Sequence, residues 1–160
     1  MNKSSKGFSL IELLIVVAII LIIAAIAIPN LLRSRIAANQ ASAVGSLRTL
    51  NTAEITYSST YNSGFTATLT YLMPNGTSAT PASTAAGLID SILASGSKSG
   101  YSFSYSPGAT DTTGRINTYG INAYPISTST GTNYYYTDQS GVIRQNSTAA
   151  AGSTDSPIAG

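Results

Sequence analysis

The 160-residue chain has no cysteine and no histidine, and only 9% of its residues are charged, against about 25% in ordinary globular domains. The missing cysteines exclude disulfides, thiolate nucleophiles and thiolate-bound zinc. The missing histidines exclude imidazole ligands and imidazole acid–base catalysis. An enzyme made from this chain would depend on carboxylates, lysine, tyrosine or serine alone, and its six acidic residues are scattered. No catalytic, cofactor-binding or metal-binding set emerges. The scarcity of charge also argues against a charge-rich disordered chain. The net charge is +2, and the eight Lys and Arg form no stripe, so the electrostatic footprint of a nucleic-acid partner is missing. The length suits one domain.

What is abundant is apolar, and it is concentrated. From Leu13 to Ile28 no polar residue interrupts the chain. As a helix, Phe8–Ile28 would be about 31 Å long, enough to cross a bilayer core. Apolar residues occupy every side of it, unlike a soluble amphipathic helix. The β-branched residues lower helix propensity slightly, but in lipid every backbone group must be satisfied internally, which overrides that preference. The run is too long for a secretory signal, although Lys3 and Lys6 give it a basic start. As a membrane anchor it would keep those lysines in the cytoplasm, with Arg33 and Arg35 flanking the other end. Glu12 is anomalous: a carboxylate at the edge of an apolar block snorkels to the interface or finds a partner.

Lys6-Gly7-Phe8-Ser9-Leu10-Ile11-Glu12-Leu13 resembles the processing site of type IV prepilins and of the pseudopilins of type II secretion. The long apolar helix and Pro29 fit the same pattern, over roughly residues 3–60. The resemblance implies cleavage between Gly7 and Phe8 by a prepilin peptidase and N-methylation of Phe8. It implies that Glu12 meets the N-terminal amine of an adjacent subunit. Loss of residues 1–7 would leave 153 of the 160, with six basic and six acidic side chains. Pro29 is expected to kink the helix. The implied partners are identical subunits in a homopolymer, the peptidase and an assembly platform in the cytoplasmic membrane. The implied location is that membrane before assembly, then a surface pilus or a periplasmic pseudopilus. Many type IVa pilins close their C-terminal region with a disulfide; this chain cannot, which leaves pilin and pseudopilin both open. A membrane-anchored binding domain is the remote alternative, and no convergent polar site supports it.

Five segments follow. Residues 1–7 are read as a leader, 8–29 as a membrane-spanning and filament-core helix, and 30–61 as its amphipathic continuation. Residues 62–145 are read as a globular region and 146–160 as a loose tail. In the continuation, Ala43, Leu47, Leu50, Glu54, Tyr57 and Tyr61 recur at helical spacing and predict a core-facing stripe. Arg33, Asn39, Gln40, Ser46 and Asn51 are assigned to the opposite side. A second helix is expected over 84–94, capped by Ser83 or Thr84. Strands are expected at 101–105, 115–126, 133–137 and 142–145, forming an antiparallel sheet of three or four strands packed on the long helix: an α+β, pilin-like fold. Tyr134-Tyr135-Tyr136 reads as strand chemistry rather than a ligand platform. Asp138, in a turn with Gln139 and Ser140, is a weak calcium candidate. Asn75-Gly76-Thr77 and Asn146-Ser147-Thr148 match the glycan-acceptor pattern.

Overall fold

The computed structural model describes residues 7–76 and 80–158. Thr77 of the first glycan-acceptor pattern, and Lys3 and Lys6 of the basic leader, lie outside these residues. The fold is α+β. Helix α1 spans Leu10–Tyr61, a short 3₁₀ turn spans Leu69–Leu72, and helix α2 spans Ser91–Ala94. Strands β1 (Ser97–Lys98), β2 (Tyr101–Pro107), β3 (Tyr119–Pro125), β4 (Tyr134–Asp138) and β5 (Arg144–Asn146) follow. The chain divides into two units, Met1–Arg35 and Ile36–Gly160.

In the second unit, α1 carries the predicted stripe. Ala43, Leu47, Leu50, Ala53, Glu54 and Tyr57 are buried. Leu47 and Leu50 are fully so, each contributing about 1.5–3 kcal/mol through burial. The stripe is wider than the apolar spacing implied. Ser46 and Asn51, assigned to the outer side, are also buried. Asn51 donates from Nδ2 to Thr137 Oγ1 at 2.9 Å and accepts from the Tyr119 hydroxyl at 3.0 Å. A buried amide is tolerated because the sheet satisfies both its ends. Asn39 and Gln40 also reach unit partners, Thr130 O and Thr132 Oγ1.

The five strands form one antiparallel meander in the order β1-β2-β3-β4-β5. That is one strand more than the upper expectation. The added strand, β1, exists because Ser99 and Gly100 both take positive φ (50° and 75°), which pairs Lys98 with Tyr101 across a two-residue turn of the kind that matches strand twist. Alternation then sorts the tyrosines. Tyr101, Phe103, Tyr119, Ile121, Ala123 and Tyr135 join the core, while Tyr134 and Tyr136 lie on the other face with partial exposure. Phe103, Ala123 and Tyr135 are in register, and the small central alanine lets Tyr101 and Tyr135 approach to 5.9 Å between ring centroids. The Tyr101 hydroxyl donates to Asn133 O at 2.8 Å. A Cβ on Gly131 would lie 2.2 Å from that hydroxyl oxygen, so only glycine fits there. Burial pushes the Tyr101 hydroxyl up to about 12.

The expected helix over 84–94 shrinks to Ser91–Ala94. Its cap is Asp90, whose Oδ1 accepts from Leu93 N at 2.8 Å, rather than Ser83 or Thr84. The preceding residues spend their donors elsewhere: Ala86 N donates to Tyr71 O and Leu88 N to Leu72 O. Gly87, at φ 68°, breaks the helical path. The tail from Asn146, expected to be loose, is tied down at several points. Gln145 N donates to Ser156 O and Ile158 N to Ile143 O. Ala151 is buried, and its carbonyl accepts from Asn122 Nδ2 at 2.8 Å.

Candidate processing and assembly site

In the first unit the helix begins at Leu10, and residues 7–9 before it have no regular secondary structure and are exposed. Gly7 has open space around it; a Cβ there would meet nothing within 4 Å. Phe8 is 76% exposed. Backbone on either side of the expected cleavage point is therefore accessible.

Ser9 is the N-cap residue and Glu12 the third helical residue. Ser9 N donates to Glu12 Oε2 at 2.9 Å, and Leu13 N donates to Ser9 O at 3.2 Å. The carboxylate thus reaches back to an otherwise orphaned donor, one half of a capping box. It also sits at the positive end of the helix macrodipole, worth about 0.3–1 kcal/mol. Glu12 accordingly has a partner within its own chain. The pattern Ser-x-x-Glu just before an apolar run was the available signal, and Ser9 is the residue it adds.

Below Glu12 the helix is apolar and uncovered. Ile11 to Leu32 includes no buried residue. Seventeen of the 21 exposed large hydrophobics among the described residues lie between Phe8 and Leu32, so this surface awaits lipid or another chain. One helix among the described residues is long and apolar enough to cross a membrane. Pro29 lies inside α1, where it cannot donate to the carbonyl four residues earlier. Ser34 Oγ donates back to Asn30 O at 3.0 Å, a local bond that often accompanies bending.

The other residues singled out do not gather here. Asp138 Oδ1 accepts from the Ser140 backbone N–H at 2.9 Å and from its hydroxyl, closing its own turn. Among the described residues no three Asp or Glu cluster as metal ligands. Asn146 Oδ1 accepts from Thr148 and Ala149, and its Nδ2 donates to Asp155 Oδ1. A glycan on that nitrogen would cost the Asp155 bond.

The family described as the prokaryotic N-terminal methylation motif matches residues 2–28. The chain is 51% identical over 53 residues to the type IV major pilin protein PilA of Myxococcus xanthus, covering 33% of this chain and 24% of that protein. It is 65% identical over 37 residues to the type IV wide pilus major component PilA4 of Thermus thermophilus, covering 23% and 28%. The matches thus span about a quarter of the length of these relatives. No solved structure matches. Residues 2–28 thus carry a sequence similar to the N-terminal methylation motif, and they run into the bare apolar helix. Over its N-terminal third the chain is similar to these two type IV pilus major subunits.

Proposed function

We propose that this chain is the structural subunit of a type IV pilus-like filament. The observation that carries the reading is a methylation motif joined to an apolar helix whose own chain leaves it bare. A prepilin peptidase cuts after Gly7 and methylates the new amine of Phe8. The helix holds the subunit in the cytoplasmic membrane until an assembly platform extracts it, and then bundles with identical helices. Burying it in such a bundle removes the exposed apolar area from solvent. During assembly Glu12 exchanges its own Ser9 N–H for the neighbour's Phe8 amine. An ion pair in apolar surroundings selects register more than it adds net stability. The subunit catalyses no reaction. Adhesion, motility and DNA uptake are roles of the assembled polymer.

The test is intact mass on two fractions, sheared surface filaments and cell membranes. A chain beginning at methylated Phe8 and abundant in the sheared fraction is the expected result. The same chain confined to membranes would reassign it to a pseudopilin or minor pilin, the reading that its lack of cysteine keeps in view. A chain retaining Gly7 would overturn the processing step.

A further inference from the structure

Glu54 is a glutamate in the middle of the core, 0% exposed, at the point where α1, the loop after it and the sheet converge. Its Oε2 accepts from the Thr66 backbone N–H at 3.0 Å, and its Oε1 lies 2.5 Å from Thr66 Oγ1. Thr66 Oγ1 is in turn 3.2 Å from the Tyr105 hydroxyl. That hydroxyl donates to Thr66 O at 2.8 Å.

The hydrogens can be placed for either protonation state. Thr66 and Tyr105 supply one hydroxyl hydrogen each, and the Tyr105 hydroxyl donates to Thr66 O. With Glu54 ionised, Thr66 Oγ1 donates to Glu54 Oε1, and the 3.2 Å Thr66–Tyr105 contact, longer than an ordinary hydroxyl bond, carries no hydrogen. With a proton on Glu54, every contact carries one. Glu54 Oε1–H donates to Thr66 Oγ1, Thr66 donates to Tyr105, and Tyr105 donates to Thr66 O.

The surroundings favour the neutral acid. The groups facing Glu54 are Thr66 from the loop and Tyr105 from β2. Tyr57 on its own helix and Tyr119 on β3 lie near it. Tyr61 and Tyr71 act on Tyr57, and Asp138 acts on Tyr119. None of these is a cation. The one ion pair among the described residues, Lys98–Asp90, involves neither Glu54 nor any of these groups. A buried carboxylate without a cation is costly, and a neutral acid is the ordinary escape. Burial raises the Glu54 carboxyl above its ordinary 4.5, against the smaller lowering by its Thr66 and Tyr105 bonds.

We propose that Glu54 is a protonated acid in the folded protein at neutral pH, and that its proton closes a relay pinning the Gly64–Thr66 loop to α1 and β2. The relay makes the globular unit sensitive to alkali. Below the unfolded value near 4.5 both states hold the proton and Glu54 adds no pH dependence. Above it the unfolded chain releases the proton while the folded one keeps it, so stability falls as pH rises until the folded group titrates.

The experiment uses the full chain in detergent micelles. Glu54→Gln keeps an acceptor for Thr66 N–H and a donor for Thr66 Oγ1 without an ionisable group. The stability of Glu54→Gln relative to wild type should increase as pH rises from 4.5. Parallel curves, or wild type gaining on the variant, would overturn the proposal. A second reading leaves Glu54 untouched. The chain has two glutamates, Glu12 and Glu54, so in a Glu12→Gln background isotope-labelled glutamate marks Glu54 alone. Its infrared band should be that of a protonated carboxyl at neutral pH; a carboxylate band would sink the idea.

Discussion

The two units of this chain use the same aliphatic residues in opposite ways. In the first, isoleucine, leucine and valine surround the helix and are 46–80% exposed from Leu10 to Leu32. In the second, Leu47, Leu50, Leu72, Leu93 and Ile121 are at most 1% exposed. The glutamates divide in the same manner. Glu12 is exposed and caps its own helix start, whereas Glu54 is sealed in the core. Composition alone does not separate a core from an anchor. What separates them is whether the chain supplies a second layer: the sheet and loops of the second unit cover the later part of α1, and among the described residues none buries the earlier part. An uncovered apolar helix is incomplete without lipid or copies of itself, and the proposed filament follows from that incompleteness.

The sharpest way to break this comparison is at Glu12. Its capping bond and macrodipole contribution are small, so Glu12→Ala should leave helix and membrane insertion intact. If the carboxylate also pairs with a neighbour's amine, sheared filaments should fall to background while the membrane-bound chain persists at wild-type level. Normal filament yield from the variant would remove the pairing and leave the cap as the residue's whole role.

Next in size is one truncation made in each unit. Leu50→Ala empties a fully buried site and should cost the globular unit about 2–5 kcal/mol. Leu21→Ala removes a side chain that is 63% exposed and should change the same unfolding midpoint by no more than about 0.5 kcal/mol. Chemical denaturation of each full-length variant in micelles measures both. Equal losses would mean that Leu21 is covered by its own chain, and the division between the units would be wrong.

Much of this arrangement was legible beforehand. The uninterrupted run 13–28 and the Ala43–Tyr61 stripe are periodic signals and appear on α1 where expected, with Tyr61 at the stripe's end only partly buried, and the motif around Gly7 lies within the matched residues 2–28. The alternation at 101–105 likewise marked a strand. The errors share a cause: a local pattern was outweighed by a partner distant in sequence. Residues 84–90 have helical spacing, yet the carbonyls of Tyr71 and Leu72 take their donors. Asn51 reads as a surface residue until Thr137 and Tyr119 accept and donate to it. Ser-x-x-Glu at residue 9 was purely local and could have been seen. The stripe's spacing placed Glu54 in the core, but nothing local announces that Thr66 and Tyr105 will be its partners.

The C-terminal strap extends the same lesson with a smaller expected effect. Asp155 gathers the segment through three groups. Its Oδ1 accepts from Asn146 Nδ2 at 3.0 Å, its Oδ2 from Gly152 N at 2.8 Å, and its carbonyl from Arg144 Nη1 at 2.9 Å. A chain without cysteine closes this region by polar bonds together with the packing of Ala151 and Ile158. Hydrogen bonds to a charged acceptor contribute about 1.5–3 kcal/mol at best, and these are only partly buried. Asp155→Ala removes the two side-chain bonds and keeps the carbonyl. It should cost about 1–3 kcal/mol and open residues 147–158 to limited proteolysis before global unfolding. Asn146→Ala, which removes one of those bonds, should do less. If the strap stays protected in both variants, backbone pairing of 156–158 with 143–145 holds it unaided, because those bonds depend on neither side chain.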